Sequence, residues 1–126
     1  MTQSFFVPGP LPGLNEIIKA AKAHPMAYAK MKQEWGIVCR LAIRQAKLKK
    51  LTGYVAIRFS WREPHRRRDI DNIACGKKFC IDALVESKIL PNDGWRWVKQ
   101  IQDEFDVDVK RPGVLVTVAE VVVPIT

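Results

Sequence analysis

Ser4-Phe5-Phe6-Val7 is a short apolar run, and Pro8-Gly9-Pro10-Leu11-Pro12-Gly13 then interrupts regular structure through fixed φ angles, missing donors and glycine turns. This pattern predicts a first strand followed by a shaped loop. Asn15, with Glu16 next to it, reads as an N-cap and first-turn acid opening a helix over 17–23, which ends near His24-Pro25. From Met26 to about Lys50 there is no proline and one glycine. Tyr28, Met31, Trp35, Val38, Ala42 and Ala46 recur there every three or four residues, the signature of a long amphipathic helix. Thr52-Gly53 breaks it. Val55, Ile57, Phe59 and Trp61 alternate with Ala56, Arg58 and Ser60, as in a half-buried strand, and Pro64 ends the run.

A further helical pattern covers about 73–87, with Phe79, Cys80, Ala83 and Leu84 on its apolar side. Residues 95–109 alternate again, and 113–123 are rich in β-branched residues. The expectation is that these two segments pair as a hairpin about Lys110-Arg111-Pro112-Gly113. The order β-α-α-β-α-β-β then gives an α+β domain, a small mixed sheet of about four strands with helices packed on it. With 126 residues, against a prior of roughly 100–200 per domain, the chain is expected to form a single domain over 1–126.

Composition adds little to this picture, since 48% hydrophobic and 27% charged residues are ordinary for a globular protein. No apolar run approaches the roughly 18 residues of a membrane span. Met1-Thr2-Gln3-Ser4 is not the start of a secretory signal, so cytoplasmic residence without a membrane partner is expected. Cys39, Cys75 and Cys80 are odd in number and lack metal-site spacing, and they read as reduced thiols.

Charge changes the picture more. The chain carries 21 Lys and Arg against 13 Asp and Glu, a net charge of +8. Residues 1–68 hold 14 basic and 3 acidic side chains, whereas residues 69–126 hold 7 basic and 10 acidic ones. One half is suited to a polyanion and the other supplies carboxylates. Arg40, Arg44 and Lys47 form a basic stripe along the long helix, which could track phosphates but reads first as a solvated face.

The chemistry concentrates in Arg66-Arg67-Arg68-Asp69-Ile70-Asp71-Asn72. If this segment is extended, Asp69 and Asp71 share a face. Paired carboxylates of this kind suit Mg²⁺, which takes one or two of them together with water and phosphate oxygens. Asp93, in the turn Leu90-Pro91-Asn92-Asp93-Gly94, is a third candidate. The plainer alternatives are that Asp69 and Asp71 pair with the adjacent arginines or cap the next helix, and that Asp93 serves its turn. If a helix begins near Asp71, Lys78 comes round to the same face after two turns and Lys77 lies about 100° away. Lys78 could also pair with Asp82 at i+4. Trp61 has inward parity and reads as core. Trp95 and Trp97 are expected to share a strand face, either closing the sheet or stacking on an unpaired base.

The motifs Leu14-Asn15-Glu16, Arg67-Arg68-Asp69-Ile70-Asp71-Asn72, Lys78 with Asp82-Ala83-Leu84, and Asn92-Asp93 resemble, in this order, the RusA-type Holliday junction resolvases. The resemblance spans most of the chain. It implies a homodimeric endonuclease that resolves four-way DNA junctions by paired nicks with Mg²⁺, for which Mn²⁺ is a possible substitute. It further implies Asp69, Asp71 and Asp93 as metal-binding carboxylates and Lys78 as the catalytic lysine, with Asn72 supporting the site. Arg66, Arg67, Arg68, Arg40 and Arg44 are expected to track DNA, together with Asn15, Asn72 and Lys77. The sequence departs from the family in a longer stretch between Asp71 and Lys78 and in Asn92-Asp93 where two acids are usual. Competing readings are a non-catalytic basic DNA-binding module, a metal-dependent nuclease for other branched DNA, and a restriction-type nuclease built on Glu86-Ser87-Lys88.

Overall fold

The computed structural model describes residues 2–121 and realises the expected order of elements. Strand β1 covers Thr2–Pro8, helix α1 Leu14–Ala23, helix α2 Pro25–Gln45 and strand β2 Val55–Glu63. Two short helices follow, α3 over Ile70–Ala74 and α4 over Lys77–Glu86, then strands β3 (Val98–Val107) and β4 (Gly113–Glu120). The four strands form one mixed sheet in the order β1-β4-β2-β3. The expectation for residues 122 and 123 lies outside the described residues.

Side-chain parity explains where the core sits. Phe5 and Val7, Val55, Ile57, Phe59 and Trp61, and Val114, Val116 and Val118 are all buried. Register aligns them, Val7 with Val114 and then Trp61 across β1, β4 and β2, and Phe5 with Val116 and Phe59 one level further. Leu51, Leu84, Leu90, Phe79 and Cys39 complete the cluster from the helical side. The alternate positions of the sheet, such as Ser4, Arg58 and Thr117, remain exposed or half-buried.

The expected hairpin between the last two strands does not form. β3 pairs with β2 in parallel, whereas β4 runs antiparallel to both β2 and β1. The α3–α4 segment is therefore a crossover that returns the chain to the far edge of β2, a connection that parallel strands require. Proximity in sequence favoured the hairpin. Instead β4 lies between β1 and β2 with Val114, Val116 and Val118 on the buried face of the sheet.

Two helix boundaries also differ from the periodic pattern. α2 stops at Gln45, and Lys47 adopts φ 55°. Beyond it the Lys49 backbone bonds to the Gln3 side chain of β1 through both its N–H and its carbonyl. The lysine-rich stretch is tied to the sheet in this way while Leu48 packs against the core. The later helix is broken at Cys75-Gly76 into α3 and α4. Gly76 closes against the Pro12 carbonyl, Leu11 and the Trp61 ring, where a Cβ would stand 3.1–3.3 Å from all three. Cys39 and Cys80 are buried and unbridged. Their thiols face each other, and that contact together with burial pushes the Cys80 thiol well above its ordinary value, which keeps it unreactive. Among the described residues no helix is long and apolar enough to cross a membrane.

Candidate functional site

β2 ends on Glu63, which has the inward parity of Trp61 and is 4% exposed. A carboxylate at such a position requires a hydrogen-bonded cation. Arg68 supplies it, with Nε and one terminal nitrogen on the two Glu63 oxygens at 2.8 and 2.9 Å. The remaining nitrogen donates to Glu16 Oε1 at 2.8 Å and to the Leu11 carbonyl at 2.9 Å. Burial lowers the Arg68 pKa, but Glu63 and Glu16 outweigh it and raise the value overall. Burial raises Glu16 in turn, and the Gly13 N–H and Arg68 together hold it below the usual carboxylate value. Arg68 is thus consumed in fastening the loop after β2 to the proline-rich loop and α1. Arg66 and Arg67 are exposed and form no ion pair among the described residues. Sequence reasoning missed Glu63, although its parity was a readable signal.

Asn15 is not the N-cap expected of it. That position belongs to Gly13, whose N–H is taken by Glu16 Oε1 at 2.8 Å, and α1 begins one residue before Asn15. The backbone N–H of Asn15 donates instead to Oδ1 of Asn72 at 2.9 Å. Asn72 is 8% exposed and lies so close to Gly13 that a Cβ there would come within 2.6 Å of it. The structure therefore brings two of the expected DNA-contacting residues together, with Asn72 acting as a buried link between α1 and α3.

Asp69 and Asp71 flank the start of α3. Asp69 is the N-cap residue with φ −69° and ψ 152°, and Asp71 is already helical. The extended segment with both carboxylates on one face is therefore not what forms, because helical geometry begins at Ile70. Asp69 makes no capping bond and neither carboxylate forms an ion pair among the described residues. Asp71 Oδ1 accepts the Asn72 N–H at 2.9 Å, and among the described residues its second oxygen has no donor. Both side chains are exposed. Asp69 also borders a cavity of about 500 Å³, lined by His65, Arg66, Ile70, Phe105 and Asp106 among others.

The two lysines diverge. Lys77 turns to the sheet, pairs with Asp103 of β3 and lies over the Phe59 ring, 5.5 Å from its centroid. Asp103 also accepts the Trp61 indole N–H at 2.8 Å, so Lys77 belongs to a half-buried structural cluster. Lys78 is exposed, 3.0 Å from Asp82 and 3.7 Å from Asp93. The Asp82 hydrogen bond, with Asp93 adding to it, raises the Lys78 pKa. Two turns of continuous helix from Asp71 do not explain this arrangement, since the chain is broken at Cys75-Gly76. The position of Lys78 is fixed by α4 and by the turn that carries Asp93.

The expected metal ligands are only partly gathered. Asp69 and Asp71 lie on one helical turn and offer hard oxygens of the class Mg²⁺ takes. Asp93 is at Lys78, and among the described residues no group of three or more His, Cys, Asp or Glu side chains is placed to hold a metal ion. Asp69 and Asp71 match the donor class such a cation takes; among the described residues a compact trio is not formed.

Residues 95–97 are a turn before β3 and not part of the strand, so the shared strand face expected of Trp95 and Trp97 is absent. Trp97 packs against the core, whereas Trp95 is 93% exposed. On α2, Arg40 is paired with Glu86, and Arg44 lines a groove with exposed Ile37 and Leu41. Compared with models of known families and with curated proteins, the chain matches none.

Proposed function

We propose that this protein is a metal-dependent endonuclease for branched DNA, of the kind represented by RusA-type Holliday junction resolvases, acting as a homodimer on four-way junctions. The observation that carries the reading is the state of Asp69 and Asp71. Both plain explanations for them, ion pairing with the neighbouring arginines and helix capping, are unmet: the carboxylates are exposed, make no capping bond and, among the described residues, form no ion pair, as is also true of Arg66 and Arg67 beside them. Exposed carboxylates next to exposed cations suit a substrate that brings phosphate and a cofactor that is a divalent cation.

Asp69 and Asp71 would hold Mg²⁺ or Mn²⁺, which supplies Lewis-acid stabilisation of charge on the phosphate. Arg66 and Arg67 hold the flanking backbone. Lys78, whose pKa Asp82 and then Asp93 raise further, would supply a positive charge toward the developing charge on the phosphate. Asp93 orients Lys78 by the 3.7 Å contact. Asn72 acts by position, fixing the start of α3 against α1.

The test is incubation of the purified protein with a labelled four-way junction and a matched duplex, in Mg²⁺ or EDTA. The expected result is paired nicking of the junction in Mg²⁺ only. Asp71→Asn should abolish nicking and leave junction binding within about tenfold, since it removes an anionic ligand and keeps the shape. Binding that is indifferent to Mg²⁺, with no nicking, would instead identify a DNA-binding module.

A further inference from the structure

Phe6, Arg62 and Arg111 form a cluster on the open face of the sheet that is used neither by the core nor by the carboxylates. Phe6 stands on β1 and Arg62 on β2, with β4 between them. At this level β4 contributes Gly113, which pairs with both Pro8 and Arg62. Gly113 has φ +152°, and a Cβ on it would come within 2.7 Å of the Phe6 ring and 2.2 Å of the Val7 carbonyl. A missing side chain in the middle strand is what lets the ring lie between two strands that are not neighbours. The Arg111 guanidinium carbon is 4.3 Å from the ring centroid and that of Arg62 is 5.7 Å away.

Stacking on an aromatic face uses the plane of a guanidinium and leaves its fork of N–H donors at the rim. Among the described residues neither Arg62 nor Arg111 forms an ion pair or donates a side-chain hydrogen bond. The nearby carboxylates are turned to the backbone. Asp106, in register with Arg62, accepts the Val107 N–H at 2.8 Å. Asp108 accepts the N–H groups of Lys110 and Arg111 at 3.2 and 3.0 Å. Two guanidinium groups over one ring, with side-chain donors unused among the described residues, suit the paired oxygens of a phosphodiester, which arginine binds in bidentate fashion. The cluster is also continuous with the candidate site: β2 leads from Arg62 into the loop of Arg66, Arg67 and Asp69, and Asp106 borders the cavity at Asp69.

We infer that Phe6, Arg62 and Arg111 form a phosphate clamp that grips the DNA backbone on the open face of the sheet, away from the scissile group. That the phosphate belongs to DNA rests on the proposed nuclease reading. The clamp extends the contact surface from the carboxylates over the sheet and sets the direction in which a duplex arm leaves.

The experiment measures junction binding in EDTA by fluorescence anisotropy over a range of salt concentrations, for wild type, Arg62→Gln/Arg111→Gln and Phe6→Leu. The double variant should lose about two from the slope of log affinity against log salt, and at least about tenfold in affinity at moderate salt, with an unchanged melting temperature. Phe6→Leu keeps both charges and removes the ring they stack on, so affinity should fall while most of the slope is kept. Wild-type slope and affinity in the double variant would overturn the clamp, as would a change of oligomeric state on sizing, which would make this face a contact between copies. Nicking by wild type with wild-type binding by the double variant removes the clamp and keeps the nuclease. An arginine-dependent slope without any nicking keeps the clamp and removes the nuclease. No DNA binding by wild type removes both.

Discussion

Arg68 is the arginine of the run whose loss should be felt in stability. Arg68→Ala leaves Glu63 buried without its cation, which typically costs about 3–5 kcal/mol, and urea unfolding should show it. The acid limb of stability provides a second readout. The Glu16 carboxyl sits below its ordinary value of 4.5, so its contribution is present above that value and is lost as pH falls through the lower, folded one. Without Arg68 that loss should shrink. A variant as stable as wild type, with an unchanged acid limb, would mean that the Glu63–Arg68–Glu16 network is dispensable. Trp95 is the opposite case. At 93% exposure it has no packing to lose, so Trp95→Ala should leave the melting temperature unchanged. If the ring stacks on a base at the junction, binding weakens by about 1–3 kcal/mol in the same variant. Unaltered junction affinity would exclude it from the interface.

At the scale of elements, the site depends on how α1 and α3 are held together. Gly13 has φ −95°, a conformation open to any residue, so its requirement is one of space. A Cβ 2.6 Å from both the carbonyl and the side-chain oxygen of Asn72 must push α3 away. Gly13→Ala should therefore cost about 1–3 kcal/mol, as overpacking does. It should also lower nicking by more than it lowers junction binding, because Asp69 and Asp71 move with α3 while the arginines of the loop remain fastened by Arg68. Calorimetry and single-turnover assays check the two halves of this expectation. Equal loss of binding and nicking would show that α3 does not position the carboxylates separately.

At the scale of the molecule, net charge and its asymmetry govern association. The basic excess of residues 1–68 is spread over α1, α2 and the segment after it, the loop after β2 and the open sheet face. Junction affinity should fall steeply between about 50 and 200 mM salt, since each phosphate contact releases about 0.9 counterion on B-form DNA. Nearly flat affinity over that range, measured in EDTA, would contradict an electrostatic footprint. Not every basic residue contributes: Arg40, Arg68 and Lys77 are paired with Glu86, Glu63 and Asp103, so their neutralisation should leave the slope nearly unchanged.

The order of elements, the α+β class and the inward faces of the strands were determined by the sequence itself, because period and β-branching act locally on each segment. The core role of Trp61 follows from the same parity. Strand neighbours were decided only by tertiary structure. Alternation states which face is buried but not which strand lies beside it, and the central place of β4 is set by its backbone pairing with both β1 and β2. The same holds at the candidate site. Asp69, Asp71, Lys78 and Asp93 could be singled out as residue types in a pattern. Which arginine is diverted to Glu63, which lysine turns inward to Asp103, and where Trp95 points were fixed by contacts across 5 to 26 residues of chain and by exposure that no local pattern encodes. Charged side chains lack a periodic burial signal, so their partners are chosen by what the folded backbone brings within hydrogen-bond reach.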